Sequence, residues 1–175
     1  MALKLDDKKR IIEEVSAIAA DAYSVVAAEY RGLTVEDMTN LRRQAREANV
    51  QVRVIKNTLA RRALQGTQFE DIGSELVGPL VYAFSMEDPG SAARIYKNFA
   101  KENSGLVVKV LTIGNGAMGA DQLDSVASLP TYDEAISKLM FVMKAPVEKL
   151  AKTLNEVPGK LVRTVAAIKD AKEAA

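Results

Sequence analysis

Apolar residues recur every three or four positions through Ile11, Ile12, Val15, Ile18 and Ala19. This spacing predicts an amphipathic helix ending near Ala20, with Asp6 or Asp7 as its cap. Between Tyr23 and Tyr30 polar residues almost disappear and β-formers collect, the pattern of a buried strand. Arg31-Gly32 turns the chain. Thr34-Val35-Glu36-Asp37 then has the spacing of a capping box that opens a helix to about Ala48. Val50, Val52 and Val54 alternate with Gln51 and Arg53, which predicts a half-buried strand reaching Ile55. Asn57 or Thr58 caps a short helix to about Leu64.

After Gly78-Pro79, Leu80 to Phe84 reads as a further strand. Pro89 suits the first turn of a helix ending near Asn103, and Leu106 to Ile113 is again strand-like. A short helix from Asp121 to Ala127 follows, with no strand expected after Ile113. Strands alternating with helices predict an α/β (α+β) domain over residues 1–130, with a mixed sheet flanked by helices. Over residues 131–175 the pattern is helical almost throughout. This predicts a long C-terminal helix interrupted near Pro146 and Pro158-Gly159.

That second segment repeats itself. Lys149-Leu150-Ala151-Lys152-Thr153-Leu154 returns eleven residues later as Lys160-Leu161-Val162-Arg163-Thr164-Val165. A weaker copy begins at Lys138-Leu139, with Val142 at the threonine position and Met143 at the next apolar one. Eleven residues are close to three helical turns, so equivalent side chains return to nearly one face. An ordinary amphipathic helix would pack that face on its own domain. A repeated apolar stripe with basic flanks at the chain terminus instead suits one kind of acidic partner docking several times.

Composition narrows the chemistry. The chain has neither cysteine nor histidine, which removes disulfides, thiolate and imidazole catalysis and the common zinc sites. No stretch approaches the roughly 20 apolar residues of a membrane span, and the start lacks a signal-peptide pattern. The expectation is a cytoplasmic protein without a membrane partner. Net charge is only +1, but it is unevenly placed. From Arg42 to Arg62 seven basic residues face one acid, Glu47; from Leu64 to Ser137 four basic residues face ten acids. Arg42 and Arg46 share a helix face, Arg53 lies on the polar side of the next strand, and Lys56-Asn57 marks a helix start that favours phosphate. Arg61 and Arg62 complete the cluster. Guanidinium groups grip phosphate in a planar fork, so the patch suits RNA. The scarcity of aromatic residues nearby points to recognition of backbone and shape. Arg43 is the least secure member, because Glu47 lies four residues on.

Gly114-Asn115-Gly116-Ala117-Met118-Gly119 spells a dinucleotide-loop pattern. It lacks the following parallel strand with its terminal acid, so it reads as a glycine-rich turn. No cofactor and no catalytic residue is expected.

An ordered series of motifs resembles the bacterial large-subunit ribosomal protein ten. It runs through Tyr30-Arg31-Gly32-Leu33-Thr34-Val35, Leu41-Arg42, Arg46-Glu47, Lys56-Asn57-Thr58-Leu59 and Arg61-Arg62-Ala63. It continues through Val77-Gly78-Pro79, Leu129-Pro130-Thr131-Tyr132-Asp133-Glu134-Ala135 and the Lys160-Leu161-Val162-Arg163-Thr164 ending. The resemblance implies a non-enzymatic, ribosome-bound scaffold at the base of the large-subunit stalk. Its N-terminal domain would bind 23S-type ribosomal RNA beside ribosomal protein eleven. Its C-terminal helix would carry two or three dimers of the seven/twelve stalk protein, which engage GTP-bound translational GTPases. An apparent extra repeat around residues 145–157 favours three. Repression of its own messenger RNA is a further implied role. On the matching motifs, the RNA-binding candidates are Arg31, Arg42, Arg46, Arg53, Lys56, Asn57, Arg61 and Arg62. The dimer anchors would be Leu139, Met143, Val147, Leu150, Leu154, Val157, Leu161, Val165 and Ile168.

Overall fold

The computed structural model describes residues 4–103, 105–114 and 116–173, with the backbone alone at Val157. It divides into two compact units, Met1–Thr131 and Tyr132–Ala175.

In the first unit, α1 (Leu5–Asp21) leads into β1 (Ser24–Glu29). Asp6 and Asp7 lie inside the first turn of α1, where carboxylates favour the helix dipole; Lys4 is the N-cap and makes no side-chain cap bond. The capping box expected at Thr34 forms at the start of α2 (Val35–Glu47). Thr34 Oγ1 accepts from the Asp37 N–H at 3.2 Å, and the Asp37 carboxylate accepts from the Thr34 N–H at 3.1 Å. The helix ends where Asn49 takes a left-handed φ of 52°, a conformation asparagine tolerates, and the chain reverses into β2 (Val50–Val54). Next come α3 (Asn57–Leu64), a 3₁₀ turn at Glu70–Ser74, β3 (Leu80–Ser85) and α4 (Ser91–Glu102). Gly90 caps α4, so Pro89 lies just outside the helix rather than in its first turn. The unit closes with β4 (Val107–Thr112), β5 (Met118–Gly119), a 3₁₀ turn at Ala120–Gln122 and α5 (Leu123–Ala127).

The strand order is β2-β3-β1-β4-β5, and all four pairings are antiparallel. The fold class is α+β as the pattern predicts, but strands of like direction are never neighbours. Each crossover, β1-α2-β2 and β3-α4-β4, leaves a gap of one strand that the other unit fills. The two split βαβ units interleave in the ferredoxin-like manner.

Alternation divides the sheet between two cores. Val26, Ala28, Val81 and Ala83 meet Leu41, Ala45, Tyr96 and Phe99 of α2 and α4. Val25, Ala27, Leu80, Tyr82 and Phe84 meet Val15, Ala19, Ala60, Leu64 and Phe69 on the α1 and α3 side. The register with β4 shifts between Ala27 and Ala28, where Lys109 is the extra residue, and this lets Val108 and Val110, two residues apart, enter opposite cores.

β5 overturns the expectation of no strand beyond Ile113. Gly114 and Gly116, at φ of 85° and 101°, lie between β4 and β5. Thr112 Oγ1 accepts from the Gly114 N–H at 3.2 Å and donates to the Gly116 carbonyl at 2.8 Å. The glycines thus serve a hairpin. Asn115 lies outside the described residues.

In the second unit, α6 runs from Tyr132 to Glu173 as one element with Pro146 and Pro158 inside it. Each proline lacks an N–H and removes one ladder bond, so the expected interruptions are local.

Candidate nucleic-acid interface and docking helix

β2 is an outer strand of the sheet, and its free edge forms one wall of a groove. Arg42 and Arg46, one turn apart on α2, line a concavity of 270 Å³ with Arg53 and the β2 residues Val50 to Val52. A second concavity of 220 Å³ continues from Arg53 through Ile55 and Lys56 against Ile11 and Ile18 of α1. Glu14 also faces it, but its carboxylate holds Arg10 at 3.0 Å. Arg42, Arg46, Arg53 and Lys56 are exposed, and no ion pair among the described residues engages them. Four cations along one exposed edge repel one another until an anion screens them. Arg43 differs: it pairs with Glu47 at 3.3 Å and faces a separate, acid-lined hollow.

The remaining sequence candidates are placed differently. Arg31, in the turn after β1, and Arg62, on α3, are exposed but do not line the groove. Asn57 is not a cap; Lys56 occupies that position. The Asn57 amide donates to the Gly78 carbonyl at 2.9 Å and the Leu76 carbonyl at 3.3 Å, while its Oδ1 accepts from the Tyr82 hydroxyl at 3.1 Å. Arg61 donates to the Leu76 carbonyl at 2.9 Å. Burial pushes the Tyr82 phenol up to about 12, with Arg61 pulling slightly the other way, so it remains a neutral donor. Asn57 and Arg61 therefore tie α3 to the segment before β3. Asn57→Ala is expected to cost about 2 kcal/mol, since it leaves the hydroxyl of the buried Tyr82 without its acceptor. Urea unfolding should show a lower midpoint at unchanged slope; an unchanged midpoint would contradict the structural role.

Sequence reasoning missed Tyr30. It is half-buried at the end of β1 and lines one concavity with Lys56, Asn57, Thr58 and Pro79.

On α6, eight of the nine expected anchors are between 59% and 71% exposed: Leu139, Met143, Val147, Leu150, Leu154, Leu161, Val165 and Ile168. The side chain of Val157 lies outside the described residues. At 3.6 residues per turn all nine positions fall within an arc of about 80°. The sequence repeat is also a structural one. Thr153 Oγ1 donates to the Leu150 carbonyl at 2.7 Å, and Thr164 Oγ1 donates to the Leu161 carbonyl at 2.8 Å. Phe141 and Val162 are exposed as well, at 66% and 69%, but lie off the stripe.

Residues 3–101 match the family model described as ribosomal protein L10, and residues 129–157 match the one for the ribosomal protein uL10 C-terminal region. The large ribosomal subunit protein uL10 of Thioalkalivibrio sulfidiphilus is 61% identical over 174 residues, 99% of either chain. The proteins of the same description from Alkalilimnicola ehrlichii and Halorhodospira halophila are each 57% identical over 175 residues, 100% of either chain. The chain belongs to the ribosomal protein L10 family. The L10-family relatives are structural proteins of the large ribosomal subunit rather than enzymes, and this chain is a large-subunit ribosomal protein in turn. No helix among its described residues is long and apolar enough to cross a membrane.

Proposed function

We propose that this chain forms the base of the large-subunit stalk. Its N-terminal unit binds 23S-type ribosomal RNA along the β2 edge, beside ribosomal protein eleven. Its C-terminal helix carries dimers of the seven/twelve stalk protein, three rather than two, and these engage GTP-bound translational GTPases. Folded messenger RNA offers the same phosphate chemistry, so repression of the chain's own messenger would use the same residues.

The observation that carries this reading is the exposed stripe on α6. Its anchors group as Leu139-Met143-Val147, Leu150-Leu154-Val157 and Leu161-Val165-Ile168. Equivalent anchors stand eleven residues apart, except Val147 and Val157 at ten, so each step is about 15–16 Å along the axis, somewhat more than one helix diameter of roughly 10–12 Å. Each segment thus has room for one helical partner lying alongside. Burying an anchor yields roughly 1.5–3 kcal/mol, so three yield about as much as association typically costs. Capture then needs every anchor of a segment.

Native mass spectrometry of the full chain, mixed with a ribosomal RNA stalk-base fragment and excess stalk protein, tests the whole reading. The expected particle holds one chain, one RNA and three dimers. Two dimers would overturn the count, and none would overturn the docking role.

A further inference from the structure

The basic groove does not stop at Lys56. It opens into the concavity whose wall includes Tyr30, Val54, Ile55 and Pro79. Arg53 is common to the first two hollows, and Val54, Ile55 and Lys56 to the second and third, so the three hollows adjoin one another along β2 and the turn that follows it. Their character changes along the way. The α2 end is guanidinium-lined. The far end combines an aromatic ring, an apolar floor and one cation. Val54 is 44% exposed there although its β-partner Val81 is fully buried. Tyr30 packs against the core on one side, and its hydroxyl has no hydrogen-bond partner among the described residues. Asn57 and Thr58 begin α3 at this end, and the first turn of a helix leaves backbone N–H groups without acceptors inside the helix.

The geometry points to a pocket for one unpaired nucleobase, stacked on Tyr30 over the Val54–Ile55 floor. The phosphate of that nucleotide sits at Lys56 and the first turn of α3. This rests on the RNA reading above and adds an interaction of a different kind. The arginines at the α2 end hold phosphates of a folded RNA, whereas Tyr30 holds a base that has left its stack. Every base has a π-face, so the pocket tolerates sequence while requiring an unstacked nucleotide at a fixed distance from the phosphates. Charge complementarity selects the occupant: an apolar peptide would leave Lys56 and Arg53 unpaired beside it, while a nucleotide supplies both the flat apolar face and the anion.

The test uses the full chain and purified large-subunit ribosomal RNA in a salt titration. Tyr30→Leu keeps the apolar volume but removes the ring. It is expected to weaken binding about tenfold with an unchanged salt slope, because every phosphate stays held. Tyr30→Phe should bind as the parent does. The chain contains no tryptophan, so Tyr30→Trp installs a single indole whose emission should fall on RNA addition. Inorganic polyphosphate, which has no bases, should bind parent and Tyr30→Leu equally and leave the indole emission unchanged. Full affinity in Tyr30→Leu, or indole emission indifferent to RNA, overturns the pocket while leaving the arginine groove standing. Failure of the parent chain to bind ribosomal RNA overturns both.

Discussion

Replacing Arg42, Arg46 and Arg53 together by alanine is expected to weaken ribosomal RNA binding roughly 100-fold near 0.1 M salt, at about 1 kcal/mol per exposed guanidinium–phosphate pair. The three guanidinium groups line one concavity from two elements, and none has a carboxylate partner among the described residues. A phosphate entering the groove therefore displaces water and counterions but no protein anion. Each phosphate left without its arginine should remove close to one unit of slope from the plot of log affinity against log salt, so the triple variant should flatten it by about two to three. Arg43→Ala is the matched control. It removes one such charge from the helix that carries Arg42 and Arg46, but that charge is already held by Glu47 at 3.3 Å. It should change affinity by less than about threefold, as expected of an exposed pair of small net value. Stability should not change in either variant, because all four side chains are exposed. Filter binding across a salt series reads both quantities. An unchanged slope in the triple variant would remove the β2 edge from the RNA interface.

The contrast between Arg42 and Arg61 shows what is legible in a chain of this kind. Arg42, Arg43 and Arg46 sit on one helix, so their spacing alone gives their faces and the Glu47 pair. Arg61 and Asn57 look equally basic or polar along the sequence. Their partners, the carbonyls of Leu76 and Gly78, lie 15 to 21 residues away across a 3₁₀ turn that no periodicity announces. The Thr34 capping box is legible because both of its bonds close within three residues. Asp6 and Asp7 mislead because a carboxylate suits the first turn as well as the cap. Sheet direction is a tertiary property. The β1-α2-β2 stretch looks like a crossover between neighbours, and only the insertion of β3 makes the pairings antiparallel. Tyr30 escapes for a similar reason. As the last residue of an apolar run it reads as core, and its exposure depends on Pro79 and Ile55 being its neighbours in space. The α6 stripe needs no such information: a single helix carries its own periodicity, and the eleven-residue repeat appears without any knowledge of packing.

Leu150→Asp is expected to remove one dimer from the full assembly and leave the others in place. Leu150 is 63% exposed at the centre of the stripe and opens the middle segment with Leu154. The substitution forfeits the roughly 1.5–3 kcal/mol of a buried leucine and also places a carboxylate against an apolar partner surface, which costs several kcal/mol more. Together these exceed about 4 kcal/mol, a weakening of roughly 1,000-fold or more for that segment alone. The helix itself loses only about 0.5 kcal/mol of propensity, so the neighbouring segments keep their geometry. Phe141→Asp provides the discriminating comparison. Phe141 is 66% exposed, as greasy as Leu150 and on the same helix, yet it points away from the arc that holds the anchors. If the stripe rather than bulk hydrophobicity does the binding, Phe141→Asp keeps the full complement. Native mass spectrometry counts the dimers in each case. An undiminished count in Leu150→Asp would dissolve the link between segment and dimer, and a missing dimer in Phe141→Asp would show that the partner wraps the helix instead of lying along one face.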